Sequence, residues 1–184
     1  MLCVRMDTIA GKAEAGRMRR IGRLIVVGCL LCGTLDISDA FIFTWLRSHG
    51  STERVLQFIA SGIMGKTAFQ QGWGSAMLGL GIHYVIALCW VALFVLVVRS
   101  VPALMRWNVA FGVLYGLVMY AVMNFIVVPL TRIGPRPMAH GVSLVNGVLA
   151  LVICFGVVMS LLLRSSMARS AVGGLRPAGG LAAD

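Results

Sequence analysis

The sequence predicts an all-α membrane protein: a four-transmembrane-helix bundle with an additional interfacial or re-entrant helix in the first outer loop. Of the 184 residues, 59% are hydrophobic and only 12% are charged, and the mean hydropathy is +0.94. Four separate apolar stretches each approach the roughly 20 residues that cross the hydrocarbon core of a bilayer. The composition excludes a soluble globular domain, in which about 25% of the residues are charged.

The four predicted spans are bounded by Arg, Trp, Pro or Gly, residue types that anchor or end a transmembrane helix. Their approximate limits are residues 24–46, 77–98, 107–128 and 141–163. Together they predict one transmembrane domain over residues 24–163. No connecting loop is long enough to hold a soluble catalytic domain, which excludes most enzymes. A membrane enzyme that acts on a lipid or a quinone stays open as a third, less favoured function.

The segments outside this domain are short. Residues 1–23 form a basic cytoplasmic arm, predicted to be loose or partly helical, and residues 164–184 form a cytoplasmic tail. The tail is rich in Gly and Ala, which predicts disorder. The apolar run before Cys29 is shorter than the roughly 7–15 residues of a signal-peptide core, so we expect the first span to be retained.

Basic residues predict the orientation. Eleven Lys and Arg lie on one side of the spans: Arg5, Lys12, Arg17, Arg19, Arg20, Arg23, Arg99, Arg106, Arg164, Arg169 and Arg176. Five lie on the other: Arg47, Arg54, Lys66, Arg132 and Arg136. The excess predicts that this multi-pass protein has both termini in the cytoplasm. Anionic lipid headgroups attract charges beside span ends, so the bilayer accounts for the net charge of +10 and no nucleic-acid partner is expected.

The loop between the first two spans carries a short amphipathic pattern over residues 53–64. One predicted face carries Leu56, Ile59, Ala60 and Ile63, and the opposite face carries Arg54, Gln57 and Ser61. Ser51 or Thr52 can cap the start of a helix here, and Gly62 and Gly65 weaken its end. Twelve residues cannot cross a bilayer, so we expect this helix to be interfacial or re-entrant on the outer side.

Two carboxylates interrupt the first span. Asp36 and Asp39 are three residues apart and project from neighbouring positions on one side of a helix. Each costs about 2.5–3.5 kcal/mol at the centre of a span on an insertion scale, so neither is expected to face lipid while ionised. His83 in the second span is expected at a similar depth and is a candidate partner.

Small and polar residues recur at four-residue spacing in the other spans. The positions are Ser75, Gly79, His83 and Ala87 in the second span, Gly112, Gly116, Tyr120 and Asn124 in the third, and Ser143 and Gly147 in the fourth, with Asn146 beside them. We interpret Gly79, Gly112, Gly116 and Gly147 as helix-packing positions, because small residues let backbones approach closely. The polar positions predict an outward-facing pocket lined by Asn124 and Asn146. We expect the loop helix, with Lys66, Gln70 and Gln71, to form its lid.

The polar residues leave two interpretations open. Asp36, Asp39 and His83 can form a binding site or relay for a proton, a cation or a small polar solute, because intramembrane ionisable groups mark such pathways. Alternatively, an Asp pairs with His83 or with Asn and Ser side chains and locks the helices together.

No motif predicts a catalytic residue, a metal ion or a cofactor. Cys29 and Cys32 have CxxC spacing, but soft ligands and polar neighbours are lacking, so we interpret them as buried apolar residues. Zinc-protease and phosphate-loop signatures are absent from the sequence.

Residues 60–74 (ASGIMGKTAFQQGWG) and 78–83 (LGLGIH) resemble the corresponding stretch of small, uncharacterised four-helix bacterial inner-membrane proteins. The glycine-rich third span, which ends in VVPLT, is loosely similar to YagU-like proteins. This resemblance implies a bacterial inner membrane and transfers no activity.

Two functional hypotheses follow from the sequence. One is a small transporter or channel-like protein that uses the outer pocket, and four helices are few enough that it would require a homo-oligomer. The other is a non-catalytic scaffold or partner subunit of another membrane protein, in which the small residues serve assembly and the acids are structural.

Overall fold

The computed structural model describes residues 2–137 and 139–173, which form helices joined by short connections, with no strand among them. The helices are α1 (Leu2–Ser48), α2 (Thr52–Met64), α3 (Gly72–Ser100), α4 (Asn108–Leu130) and α5, which begins at Val142 and ends at Gly173. Short 3₁₀ segments, Gly65–Gln70 and Pro102–Trp107, precede α3 and α4.

Four of these helices are long and apolar enough to cross a membrane, namely Glu14–Ser48 within α1, then α3, α4, and Val142–Ser166 within α5. This agrees with the four predicted spans and suggests a multi-pass membrane protein. Only 22–33% of each apolar window is buried inside the chain. The remaining apolar surface is what a bundle surrounded by lipid presents.

Both ends of the transmembrane domain differ from the prediction. The helix α1 continues without a break to Leu2, where a loose or partly helical arm over residues 1–23 was expected. No proline interrupts this stretch. At the other end, α5 remains helical as far as Gly173, so residues 164–173 do not belong to a disordered tail. The rest of the predicted tail, residues 174–184, lies outside the described residues.

The helices α4 and α5 pack as an antiparallel pair in a four-residue register. Asn108 and Ser160 exchange two hydrogen bonds, from Asn108 Nδ2 to the Ser160 carbonyl (2.8 Å) and from Ser160 Oγ to the Asn108 carbonyl (2.9 Å). One turn further, Gly112 lies against the backbone of Gly156, with no room for a Cβ atom on either residue. Gly116 then contacts the backbone of Val152. We call these three contacts the α4–α5 seam.

The helix α2 packs on α3 at the end of the bundle away from the chain termini, which we call the α2 side. The Ser51 hydroxyl accepts a hydrogen bond from the Arg54 N–H, and Gly65, with φ of 68°, ends the helix. At Gly79 of α3 an added Cβ would collide with the Leu56 carbonyl of α2, so glycine is what permits this approach.

The face of α2 that meets the bundle agrees with the prediction at Leu56 and Ala60 and differs from it at Gln57 and Ser61, which were expected on the opposite face. Its buried residues are Leu56, Gln57, Ala60 and Ser61, whereas Ile63 is 58% exposed. Burial of Gln57 is tolerated because its Nε2 donates to the Glu53 carboxylate (3.0 Å) and to the Gly72 carbonyl (3.1 Å). Ser61 is likewise satisfied by the Phe58 carbonyl (2.6 Å).

Candidate functional site: a cavity on the α2 side

A cavity of about 640 Å³ lies between all five helices on the α2 side. This volume is within the range of about 300–1,000 Å³ that is typical of small-molecule sites. Its polar wall residues are Asp36, Asp39, Thr44, Arg54, His83, Tyr120, Asn124, Thr131, Ser143 and Asn146. The cavity therefore brings together both predicted acids, the predicted histidine and both predicted asparagines.

The size of the residues between α4 and α5 explains why the cavity lies at this end. The two helices touch along the α4–α5 seam because glycine occupies it. Beyond the seam the ring of Tyr120 comes next, and Gly147 accommodates it, with the ring 3.1 Å from the position a Cβ would take. Past this ring, Asn124 and Ser143 lie on facing walls of the cavity. The bundle is thus closed toward the termini and open toward α2.

The two carboxylates of α1 differ in their partners. Asp39 Oδ2 accepts a hydrogen bond from Asn146 Nδ2 (2.8 Å), which joins α1 to α5. Among the described residues, Asp36 has neither a hydrogen bond nor an ion pair. Asp36 is also only partly buried, so its carboxylate is available to a solute in the cavity.

His83 is 8% exposed and is held by α1 rather than by either acid. Its Nε2 lies 2.8 Å from the Gly33 carbonyl, which can only accept, so Nε2 carries the proton. Gly33 allows this approach: an added Cβ would lie 3.0 Å from the Tyr84 ring. In the described part of the chain Nδ1 has no hydrogen-bond partner, and a neutral His83 therefore offers an acceptor at the cavity wall.

The predicted ion pair between His83 and an acid is accordingly not formed. The imidazole is committed to a backbone carbonyl, and Asp39 is committed to Asn146. The other predicted asparagine also behaves differently from expectation. Asn124 Nδ2 donates to the Tyr120 carbonyl of its own helix (3.0 Å), so it makes no bond between helices although it lines the cavity.

The predicted lid residues do not line the cavity. Lys66, Gln70 and Gln71 are exposed on and beside the 3₁₀ segment, and α2 instead contributes Arg54, Phe58 and their neighbours on the same face. The sequence did contain a feature that indicates this pair: Arg54 and Phe58 are four residues apart, and this spacing places two side chains on the same face of a helix.

The connection between α4 and α5 holds α2 in place. Its Arg136 guanidinium lies 4.6 Å from the centre of the Phe58 ring, a cation–π contact. Its Arg132 N–H donates to the Gly62 carbonyl of α2 (3.0 Å). We call Arg54, Phe58 and Arg136 the rim of the cavity.

The cysteines lie apart from this chemistry. Cys29, Cys32 and Cys154 are buried among apolar side chains of the core, and Cys89 is exposed on α3. In the described part of the chain, no group of three or more His, Cys, Asp or Glu side chains has the proximity that a metal ion requires. The site as built can bind charge and hydrogen-bonding groups, and it presents no activated nucleophile.

Comparison of the chain with protein-family models, with curated proteins and with solved structures gives no match in any of the three. The resemblance to YagU-like proteins therefore stays a prediction.

Proposed function

We propose that this protein is a small transporter or channel-like protein that binds a proton, a cation or a small polar solute in the cavity on the α2 side. The observation that carries the proposal is the unpartnered Asp36 carboxylate in a cavity of solute size. A buried charge is costly unless it is paired, so a bound cation or proton at Asp36 would offset its insertion cost.

In this proposal the three ionisable residues have different roles. Asp36 is the primary binding group because no hydrogen bond or ion pair within the described residues occupies its carboxylate. Asp39 shares one oxygen with Asn146 and positions α5 against α1. His83 supplies an acceptor through Nδ1 while Nε2 fixes the ring to α1.

The same proposal includes a location. The excess of basic residues on the termini side supports cytoplasmic termini, and the cavity then opens outward. The resemblance to small bacterial inner-membrane proteins supports a bacterial inner membrane. The helix α2 lies at the outer interface or re-enters the membrane there. Since four spans form a narrow bundle, the transporting unit is a homo-oligomer.

The test is ion flux in liposomes that contain the purified protein. The parent should conduct protons or a monovalent cation under an imposed gradient, and Asp36→Asn should abolish the flux while expression and melting temperature stay near normal. Asp39→Asn and His83→Gln should reduce it. Glu14→Gln is the matched control, because it removes a carboxylate on an exposed part of α1 outside the cavity. Absence of flux in the parent, or equal flux in all variants, would remove the transport proposal.

One observation favours the alternative of a scaffold or partner subunit. The bond from Asn146 to Asp39 joins the first and last spans, which is what a purely structural acid would do. In that case Asp39→Asn, which keeps a hydrogen-bonding side chain of the same shape, should preserve both the fold and the cellular role. Flux experiments and this variant together separate the two functions.

A further inference from the structure

The wall of the cavity is more apolar than the sequence pattern predicts. About two-thirds of the lining residues are aliphatic, aromatic or glycine, including Phe43, Ile82, Ile86 and Met123. An apolar wall stabilises an apolar surface of a ligand, but it offers no polar groups to replace the water molecules that surround a small ion. The shape and composition of the cavity thus select for a ligand with a substantial apolar body.

The charged groups that α1 contributes to the cavity wall are both negative. Asp36 and Asp39 lie on α1, and within the described residues neither carboxylate has an ion-pair partner. The other ionisable groups of the wall are His83, whose Nε2 donates to the Gly33 carbonyl, and Arg54, which is exposed at the rim. The two carboxylates therefore favour a positive group beside α1, and the Arg54 guanidinium lies on the α2 wall of the cavity.

A divalent metal ion fits this arrangement poorly. Calcium takes six to eight oxygen ligands and magnesium requires near-octahedral oxygen coordination, and both are assembled from several carboxylates, carbonyls and waters. No cluster of three metal-ligating side chains exists in the part of the chain that the structure describes. An organic cation has no such requirement, because its charge is spread over carbon substituents that the wall can bury. Tyr120 and Phe43 add aromatic faces of the kind that attract such cations.

We propose that the cavity binds an amphipathic organic cation, with its positive group at Asp36 and its apolar body against the wall formed by α3, α4 and α5. The inference rests on the proposed function in that both use the same cavity, and it names the ligand class. Asp39 contributes its remaining oxygen, and His83 Nδ1 accepts from any N–H of the cation.

The experiment measures binding of radiolabelled tetraphenylphosphonium to the detergent-solubilised full chain by scintillation proximity. The parent should bind it saturably, and unlabelled tetraphenylphosphonium should compete. Triphenylphosphine oxide, a neutral analogue with similar rings, and sodium or potassium chloride at equal concentration should compete at least tenfold less well. Asp36→Asn should raise the Kd at least tenfold, and Glu14→Gln should leave it unchanged.

A second variant keeps the test decisive if Asp36→Asn does not fold. Ala40→Phe retains every charge and places a ring in the cavity, because Ala40 lines it on α1 beside Asp39. It should weaken tetraphenylphosphonium binding at least tenfold in protein that elutes as a single species. Unchanged binding in Ala40→Phe, equal competition by the neutral analogue, or no saturable binding in the parent would overturn the inference.

These outcomes are distinguishable from failure of the proposed function. If the parent does not bind tetraphenylphosphonium but liposomes show proton or potassium flux that requires Asp36, the ligand class is wrong and the transport proposal stands. If binding requires Asp36 but no solute crosses the membrane, the ligand class stands and transport is wrong.

Discussion

Substitution of Gly112 by alanine should separate α4 from α5, because its Cβ would enter space held by atoms that cannot move aside. The nearest atoms would be the Gly156 carbonyl and the hydroxyl of Ser160, and the latter is fixed by its bond to Asn108. Overpacking of a close interface costs about 1–3 kcal/mol, and a rigid backbone obstacle favours the upper part of this range.

Separation of the helices would also stretch the two hydrogen bonds between Asn108 and Ser160, one turn away. Hydrogen bonds between transmembrane helices contribute about 0.6 kcal/mol each on average. Alanine recovers up to about 1 kcal/mol over glycine through helix propensity. We therefore expect Gly112→Ala to lower the free energy of unfolding by about 3 kcal/mol, the sum of these opposing effects.

Gly81→Ala is the matched control, because Gly81 lies within α3 and a Cβ added there meets no atom within 4 Å. This variant should be neutral or up to about 1 kcal/mol more stable than the parent. The assay is unfolding by sodium dodecyl sulfate in mixed micelles, followed by far-ultraviolet circular dichroism. If Gly112→Ala unfolds at the same detergent fraction as Gly81→Ala, the α4–α5 seam does not hold the bundle together as described.

Three further predictions concern orientation, access and the rim. Reporter fusions in the α3–α4 connection should report cytoplasm and fusions in the α1–α2 turn should report the exterior; a cytoplasmic signal from the α1–α2 turn would reverse the proposed orientation. In a cysteine-free background, Ser143→Cys in the cavity wall should react with a membrane-impermeant thiol reagent added from the outside. Val118→Cys should not react, because Val118 is 48% exposed on the side of α4 that faces away from the bundle. Equal labelling of the two variants would show that water does not enter the cavity selectively. Arg136→Gln removes the cation–π contact with Phe58, which contributes about 0.5–1 kcal/mol at an exposed site, and should accelerate amide hydrogen exchange in α2 two- to fivefold. Arg99→Gln, on the termini side, is the control. Unchanged hydrogen exchange in α2 would mean that the contact between Arg136 and Phe58 does not hold α2 in place.

The sequence was sufficient for the number of long apolar helices, because the length needed to cross a bilayer is set by its thickness and leaves little ambiguity. It was also sufficient for the start of α2, since Ser51 has the side chain that an N-cap requires and the structure uses it in this way. The position of Asp36 and Asp39 in the cavity wall also agrees with what the sequence predicts, because a carboxylate in an apolar span is unfavourable against lipid and is expected to face the bundle or water.

The rotation of each helix about its axis was not predictable from the same data. A span such as α3 is apolar all round, and the lipid is as apolar as the interior of the bundle, so composition does not specify which side faces inward. The burial of Gln57 on α2 was not predicted for a related reason. Gln57 is buried because two acceptors satisfy it, and the acceptor at Gly72 lies beyond the helix. The spacing of polar residues likewise does not predict that Asn124 donates its hydrogen bond to a carbonyl of its own helix.

The partners of the two acids are what favour a ligand over a purely structural role. Asp39 contributes one hydrogen bond between helices, and an asparagine at that position could make a comparable one. Asp36 makes no contact of this kind among the described residues, so no hydrogen bond there offsets the roughly 2.5–3.5 kcal/mol cost of inserting its charge. Water in the cavity reduces that cost, and a bound cation or proton removes most of it. A structural role for Asp36 would therefore have to appear in another conformation or in an oligomer, and in either case Asp36→Asn would change the melting temperature or the oligomeric state rather than flux or binding alone.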